Sequence, residues 1–120
     1  MSNQIIVAGA MIGVVEGLLY ASKMNLDLHQ VVETTMKGFA NSVYLTTFGH
    51  RIVDRDLNPV CYAEHFGKDM AISLEEAEKV DLQLPNLSIM KKFYEELKVE
   101  GDGRLGTQVL IRALERMNKY

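Results

Sequence analysis

The stretch Asn3-Gln4-Ile5-Ile6-Val7-Ala8-Gly9-Ala10-Met11-Ile12-Gly13-Val14-Val15-Glu16-Gly17-Leu18-Leu19-Tyr20-Ala21 decides the fold. It is an apolar run with glycine at every fourth position and a single acid. The pattern predicts one helix from about Ser2 to Met24, roughly 35 Å long at 1.5 Å per residue. A helix this apolar needs protein on nearly all sides. Only Met1 and Ser2 stand before the two amides, so a polar site built on Asn3 and Gln4 is expected to be completed by residues outside the chain. The expectation is one domain of a larger enzyme.

The run also meets the lower edge of a membrane test, spanning roughly 17 positions, but Glu16 interrupts it. Met1-Ser2-Asn3-Gln4 lacks the basic start of a signal peptide. Gly9, Gly13 and Gly17 match the small-xxx-small spacing of membrane helix dimers, yet the same spacing lets a soluble helix sit close to its neighbours. A buried soluble helix is the reading, with no membrane partner.

The 120 residues suit a single domain, and 48% hydrophobic with 24% charged residues is ordinary for a globular chain. A formal charge of −3 gives no general attraction to nucleic acid or anionic lipid. Nothing resembles a basic nucleic-acid stripe. One cysteine excludes an internal disulfide and fits a reducing cytoplasm.

Beyond the first helix the pattern stays helical. Asp27 caps a second helix carrying Leu28, Val31, Val32, Thr35 and Met36, stopped by Lys37-Gly38. Asn41 or Ser42 caps a third, with Leu45, Phe48 and Ile52 on one face and Gly49 expected to weaken or bend it. Asn58-Pro59 marks a turn. A fourth helix is expected over Tyr62 to Val80, with Phe66, Met70, Leu74 and Ala77 inward. Asp81 to Pro85 reads as extended linker. A fifth helix carries Leu87, Met90, Phe93, Tyr94 and Leu97, and a last one Val109, Leu110, Ala113, Leu114 and Met117. No period-two strand pattern occurs, so the chain is expected to be all-α: about six helices, the long first one packed in a bundle.

Gly101-Asp102-Gly103-Arg104-Leu105-Gly106 matches the G-x-G-x-x-G dinucleotide fingerprint. That fingerprint works only between a strand and a helix, and a helix precedes it here. The reading is a flexible helix–helix connection that binds no cofactor. His29, His50 and His65 lie far apart in sequence. Cys61 and His65 share a helix face at i, i+4, but two ligands do not make a zinc site, so no metal is expected. No Ser, Cys or Thr has a recognisable activating neighbour. Lys68-Asp69 stands in an apolar-rich stretch near a helix start, beside Gly67, which allows close approach of a ligand or backbone. The ordinary reading is a solvated Lys and a first-turn acid favoured by the helix dipole.

Five pieces in order resemble the C-terminal domain of the β-hydroxyacid dehydrogenase family, which includes 3-hydroxyisobutyrate dehydrogenase and tartronate semialdehyde reductase. They are Asn3-Gln4-Ile5-Ile6-Val7-Ala8 with Glu16; Met36-Lys37-Gly38-Phe39-Ala40-Asn41-Ser42; Arg55-Asp56-Leu57-Asn58-Pro59; Lys68-Asp69; and Leu82-Gln83-Leu84-Pro85. The similarity runs over essentially the whole chain. Val60-Cys61 departs from the Gly-Phe the family often places after the Pro, and Lys37 stands where a Gly pair is common. These departures bear on the substrate-side surface.

The resemblance implies a fold like the C-terminal domain of 6-phosphogluconate dehydrogenase, spanning residues 1–120, with an N-terminal Rossmann domain, absent from this chain, as its partner. The implied whole is an enzyme that uses NAD or NADP on a small 3-hydroxyacid or semialdehyde and forms homo-oligomers. The family's catalytic Lys, three residues before the first amide of K-x-x-N-[NQ], would fall just ahead of Met1. No catalytic residue is then expected in this chain, and alone it would be inactive. Asn3, Gln4 and Asp69 carry over as substrate-binding and Lys68 as cofactor-binding. The rival expectation is a non-enzymatic helical domain that dimerises through its first helix.

Overall fold

Six α-helices and one short 3-10 turn make up the chain, and no strand forms. The computed structural model describes residues 1–120. In chain order α1 spans Ser2–Lys23, α2 Leu28–Thr35, α3 Val43–Val53, α4 Ala63–Lys79, α5 Pro85–Val99 and α6 Leu110–Met117, with the 3-10 turn at Thr107–Val109. The all-α bundle expected from the apolar periodicity is the fold observed.

α1 packs against each of the other five α-helices. It buries Ala8, Met11, Val15, Leu18 and Ala21, a single stripe at three- and four-residue spacing. The expectation of protein on nearly all sides is not met within the chain. Ile6 and Tyr20 are exposed, and a Cβ added at Gly13 or Gly17 would meet nothing within 4 Å. The other helices gather on one side, so part of a strongly apolar helix stays open.

Local signals set the helix starts. Asp27 accepts from the Gln30 N–H at 3.2 Å and Ser42 from the Leu45 N–H at 2.9 Å, each satisfying a first-turn donor. α3 continues through Gly49, so the expected bend is replaced by a packing role: a Cβ there would lie 2.8 Å from Val32 Cγ1. The missing methyl lets α2 approach α3. Pro85 opens α5 at a position where its absent N–H leaves no bond unmade.

α4 and α5 form the most extensive helix pair, joining Phe66, Met70 and Ala77 to Leu87, Met90, Phe93, Tyr94 and Leu97 in one core. Two expected core positions fall outside it. Leu74 is only half-buried, Ser73 being the buried residue of that turn, and Met117 is exposed because α6 ends there.

The loop over residues 101–106 is pinned rather than flexible. Buried Asp102 accepts from Arg112 at 2.9 Å and Arg116 at 2.8 Å. The carbonyls of Leu105 and Gly103 accept from the N–H groups of Ala63 and Glu64 at 2.8 and 2.9 Å. α4 has no side-chain cap, and this loop supplies its missing acceptors.

Candidate functional site

Three of the predicted site residues meet where the start of α1 crosses α4. Gln4 Nε2 donates to Asp69 Oδ2 at 2.9 Å, and Asn3 Nδ2 donates to Gln4 Oε1 at 3.0 Å. The Gln4 amide is thereby engaged at both ends. The Asn3 carbonyl and its second N–H stay free for a ligand. Gln4 and Asp69 line a hollow of about 550 Å³ walled by Val7, Met11, Phe48, Val60 and Phe66, with Cys61, Tyr62 and His65 at its edge. Apolar walls with a few oriented polar groups are the usual make-up of a small-molecule site.

Lys68 points elsewhere. Adjacent residues on a helix are turned by about 100°, and Lys68 lines a second hollow of about 500 Å³ between α4 and α5, with Lys91, Lys98, Glu64 and Glu95. Lys91 lies 3.4 Å from Glu95, whereas Lys68 and Lys98 take part in none of the chain's ion pairs. Two uncommitted ammonium groups beside an open space suit an anionic ligand such as a phosphate. His65 borders both hollows. Gly67 serves the packing of α4 on α5, since a Cβ there would sit 3.2 Å from Tyr94 Cβ.

Two further residues were not foreseen, Tyr44 in the wall of the first hollow and the buried Gln108. The Tyr44 hydroxyl is buried without a hydrogen-bond partner. Burial pushes its phenol pKa up, with the Thr107 side chain and the Arg51 charge pulling more weakly the other way. Tyr94, fully buried and likewise raised by burial, donates to the Thr107 carbonyl at 2.6 Å. Gln108 is fully buried, and its Nε2 donates to the carbonyls of Asp56 at 3.0 Å and Asn58 at 2.8 Å. An amide among Leu105, Val109 and Leu110 was the available sequence signal for such a role.

That knot shapes the Arg55-Asp56-Leu57-Asn58-Pro59 piece. Arg51 Nε reaches Asp56 Oδ2 at 3.0 Å and Arg51 Nη2 donates to the Asn58 carbonyl at 2.6 Å. The backbone N–H of Asn58 and then the Arg51 guanidinium hold the Asp56 carboxyl below its ordinary pKa. Gly106 N–H donates to Leu57 O at 2.8 Å. Val60 and Cys61 at the hollow's wall follow directly from this braced turn.

The glycine stripe of α1 faces a third depression, a groove of about 470 Å³ shared with Val31 and Thr35 of α2 and with Ala40 and Leu45. No three His, Cys, Asp or Glu side chains converge as metal ligands would.

Comparison with known proteins agrees with this architecture. The family model described as the NAD-binding domain of NADP-dependent 3-hydroxyisobutyrate dehydrogenase matches residues 1–114. A probable mitochondrial 3-hydroxyisobutyrate dehydrogenase-like protein of Arabidopsis thaliana is 44% identical over 118 residues, 98% of this chain and 35% of that protein. The 2-hydroxy-3-oxopropionate reductase of Escherichia coli is 35% identical over 120 residues, all of this chain and 41% of that protein. The chain thus spans well under half the length of these relatives. The crystal structure of a 3-hydroxyisobutyrate dehydrogenase from Salmonella typhimurium shares the fold, with a TM-score of 0.86 and 18% identity over 92% of this chain and 39% of that one. On the match over residues 1–114, the chain belongs to the family of NAD-binding domains of NADP-dependent 3-hydroxyisobutyrate dehydrogenase.

Proposed function

We propose that this chain is the helical C-terminal domain of an NAD(P)-dependent 3-hydroxyacid dehydrogenase, of the 3-hydroxyisobutyrate dehydrogenase or 2-hydroxy-3-oxopropionate reductase type. The observation that carries the reading is the Asn3–Gln4–Asp69 hydrogen-bonded line beside an apolar hollow. A small hydroxyacid or semialdehyde presents oxygens to such a line and a short carbon skeleton to Val7, Met11 and Phe66. Gln4, fixed by Asp69, orients Asn3, and Asn3 offers its free N–H to a substrate oxygen without adding charge.

The nicotinamide cofactor, NAD or NADP, supplies the hydride when bound. Its anionic groups suit Lys68 and Lys98, whose ammonium groups are uncommitted. The general acid that protonates the developing alkoxide would be a Lys one helical turn before Asn3, on the helix that joins this domain to an N-terminal Rossmann domain closing over the first hollow. On this reading the chain alone is catalytically incomplete. The open groove of α1 supports association through this domain, with a second copy or with the proposed Rossmann domain. An exposed, unpaired Cys61 suits a reducing compartment, and the cytoplasm is the location we propose.

The test is Lys68→Ala in the full-length enzyme. The KM for the cofactor rises by about tenfold or more, with unfolding temperature unchanged because the side chain is exposed. An unaltered cofactor KM removes Lys68 from the cofactor site.

A further inference from the structure

Two histidines 21 residues apart in sequence meet between α2 and α3. His29 Nδ1 and His50 Nδ1 lie 2.6 Å apart. The outer nitrogens face carboxylates, His29 Nε2 to Asp54 Oδ1 at 2.7 Å and His50 Nε2 to Glu33 Oε1 at 2.6 Å. The ring centroids are 4.8 Å apart with planes 24° from parallel. With the inner nitrogens so close, that separation means rings meeting edge to edge, each Nδ1 aimed along its ring plane at the other. Each helix contributes a histidine and an acid four residues on, one turn apart on the same face. The result is a single line running Asp54, His29, His50, Glu33.

Counting protons fixes its state. Ionised carboxylates only accept, so both Nε2 atoms carry hydrogen. Two bare Nδ1 atoms would set lone pair against lone pair, and two protonated ones would set N–H against N–H. One proton between them makes a charge-assisted bond, and the pair then holds one positive charge between two negative carboxylates. The line closes in one protonation state of three.

Neighbouring charges are engaged elsewhere. Arg51 is held by Asp56 and Arg55 by Glu115. Asp27 accepts from the Gln30 N–H. From α1, which packs on both helices, the charged residues are Glu16, exposed to solvent, and Lys23, placed over the Tyr120 ring.

The line spans an otherwise thin joint. α2 has eight residues and buries one of them, Val32, against Gly49 of α3. Its Val31 and Thr35 form one wall of the groove along Gly9, Gly13 and Gly17. We infer that Asp54, His29, His50 and Glu33 form a proton-operated clasp that seats α2 on α3 and so sets the wall of the α1 groove. It rests on geometry outside both hollows and stands independently of the enzymatic reading.

The test is the hydrogen-exchange protection factor of the α2 amides in this chain, measured across pH from about 5 to 9 with a chelator present. Protection passes through a maximum and falls about threefold or more on either side. His29→Gln and His50→Gln each abolish the maximum, while His65→Gln keeps it. Glu33→Gln leaves both rings in place and, by removing a negative neighbour, moves the alkaline fall to lower pH. This second variant keeps the test decisive if a histidine variant fails to fold. A flat or one-sided profile in the unaltered chain overturns the clasp, as does an unchanged profile in His29→Gln or Glu33→Gln. A maximum that vanishes on adding chelator identifies a bound metal in place of the proton and overturns it equally.

Discussion

Gln4 and Asp69, 65 residues apart, are joined by a 2.9 Å hydrogen bond that ties the first turn of α1 to α4. The bond orders a polar line at a place where both elements also contribute apolar wall to the same hollow.

Asp69→Ala separates function from stability. The carboxylate is exposed, so unfolding free energy changes by no more than about 0.5 kcal/mol. In the full-length enzyme kcat/KM falls by about tenfold or more, because Gln4 loses its anchor and Asn3 its orientation. Thermal unfolding and steady-state kinetics together check this, and an unchanged kcat/KM counts against a role for Asp69.

Gly106→Ala has the opposite signature. An added Cβ would clash with Gln108 Oε1 and lie 2.9 Å from the Asn58 carbonyl. The Gln108 side chain is held by two backbone carbonyls and cannot swing away freely. Overpacking of this kind costs about 1–3 kcal/mol, read as a lower denaturation midpoint. A variant as stable as the parent chain would show that the knot relaxes.

Asp56 sets part of the acid limb of stability. Its pKa is lowered from 3.8 in the folded chain, by the Asn58 N–H first and Arg51 second. A depressed folded pKa means that the stabilisation is full above the unfolded carboxyl's pKa and is lost as pH falls through the folded one. The stability difference between the unaltered chain and Asp56→Asn is therefore greatest above about pH 4 and shrinks below it. Denaturant titrations at a series of acid pH values measure it, and a difference independent of pH contradicts the assignment.

The open stripe of α1 predicts self-association. Sedimentation at concentrations on the order of tens of micromolar shows dimers or larger species, as an uncovered apolar groove requires. A Cβ added at Gly13 meets nothing within 4 Å inside the chain, so Gly13→Ala narrows that groove and weakens association while leaving the fold intact. A clean monomer before any substitution sinks the prediction.

Much of this fold was legible in local chemistry. Asp27 and Ser42 cap where their side chains indicate, and the inward stripe of α5 is the one its spacing predicts. What escaped reading depends on distant partners. The loop around Asp102 looked flexible because its anchors, Arg112 and Arg116, arrive only when α6 folds back. Gln108 looked ordinary because the carbonyls that hold it lie 50 and 52 residues earlier. The different aims of Lys68 and Asp69 were available from helical periodicity alone, since neighbours on a helix are turned by about 100° from each other. The repeated spacing of His29 with Glu33 and His50 with Asp54 was also present, though nothing local said that the two pairs would meet.

The length of α1 has a practical consequence for handling the molecule. Its 22 residues place Lys23 roughly 30 Å from the amides at the other end. Tyr120 lies at that far end, its ring beneath the Lys23 ammonium. A fluorophore, affinity handle or surface tether attached after Tyr120 therefore leaves the amide end unobstructed, whereas the same group fused ahead of Met1 would crowd the residues whose ligands are to be measured.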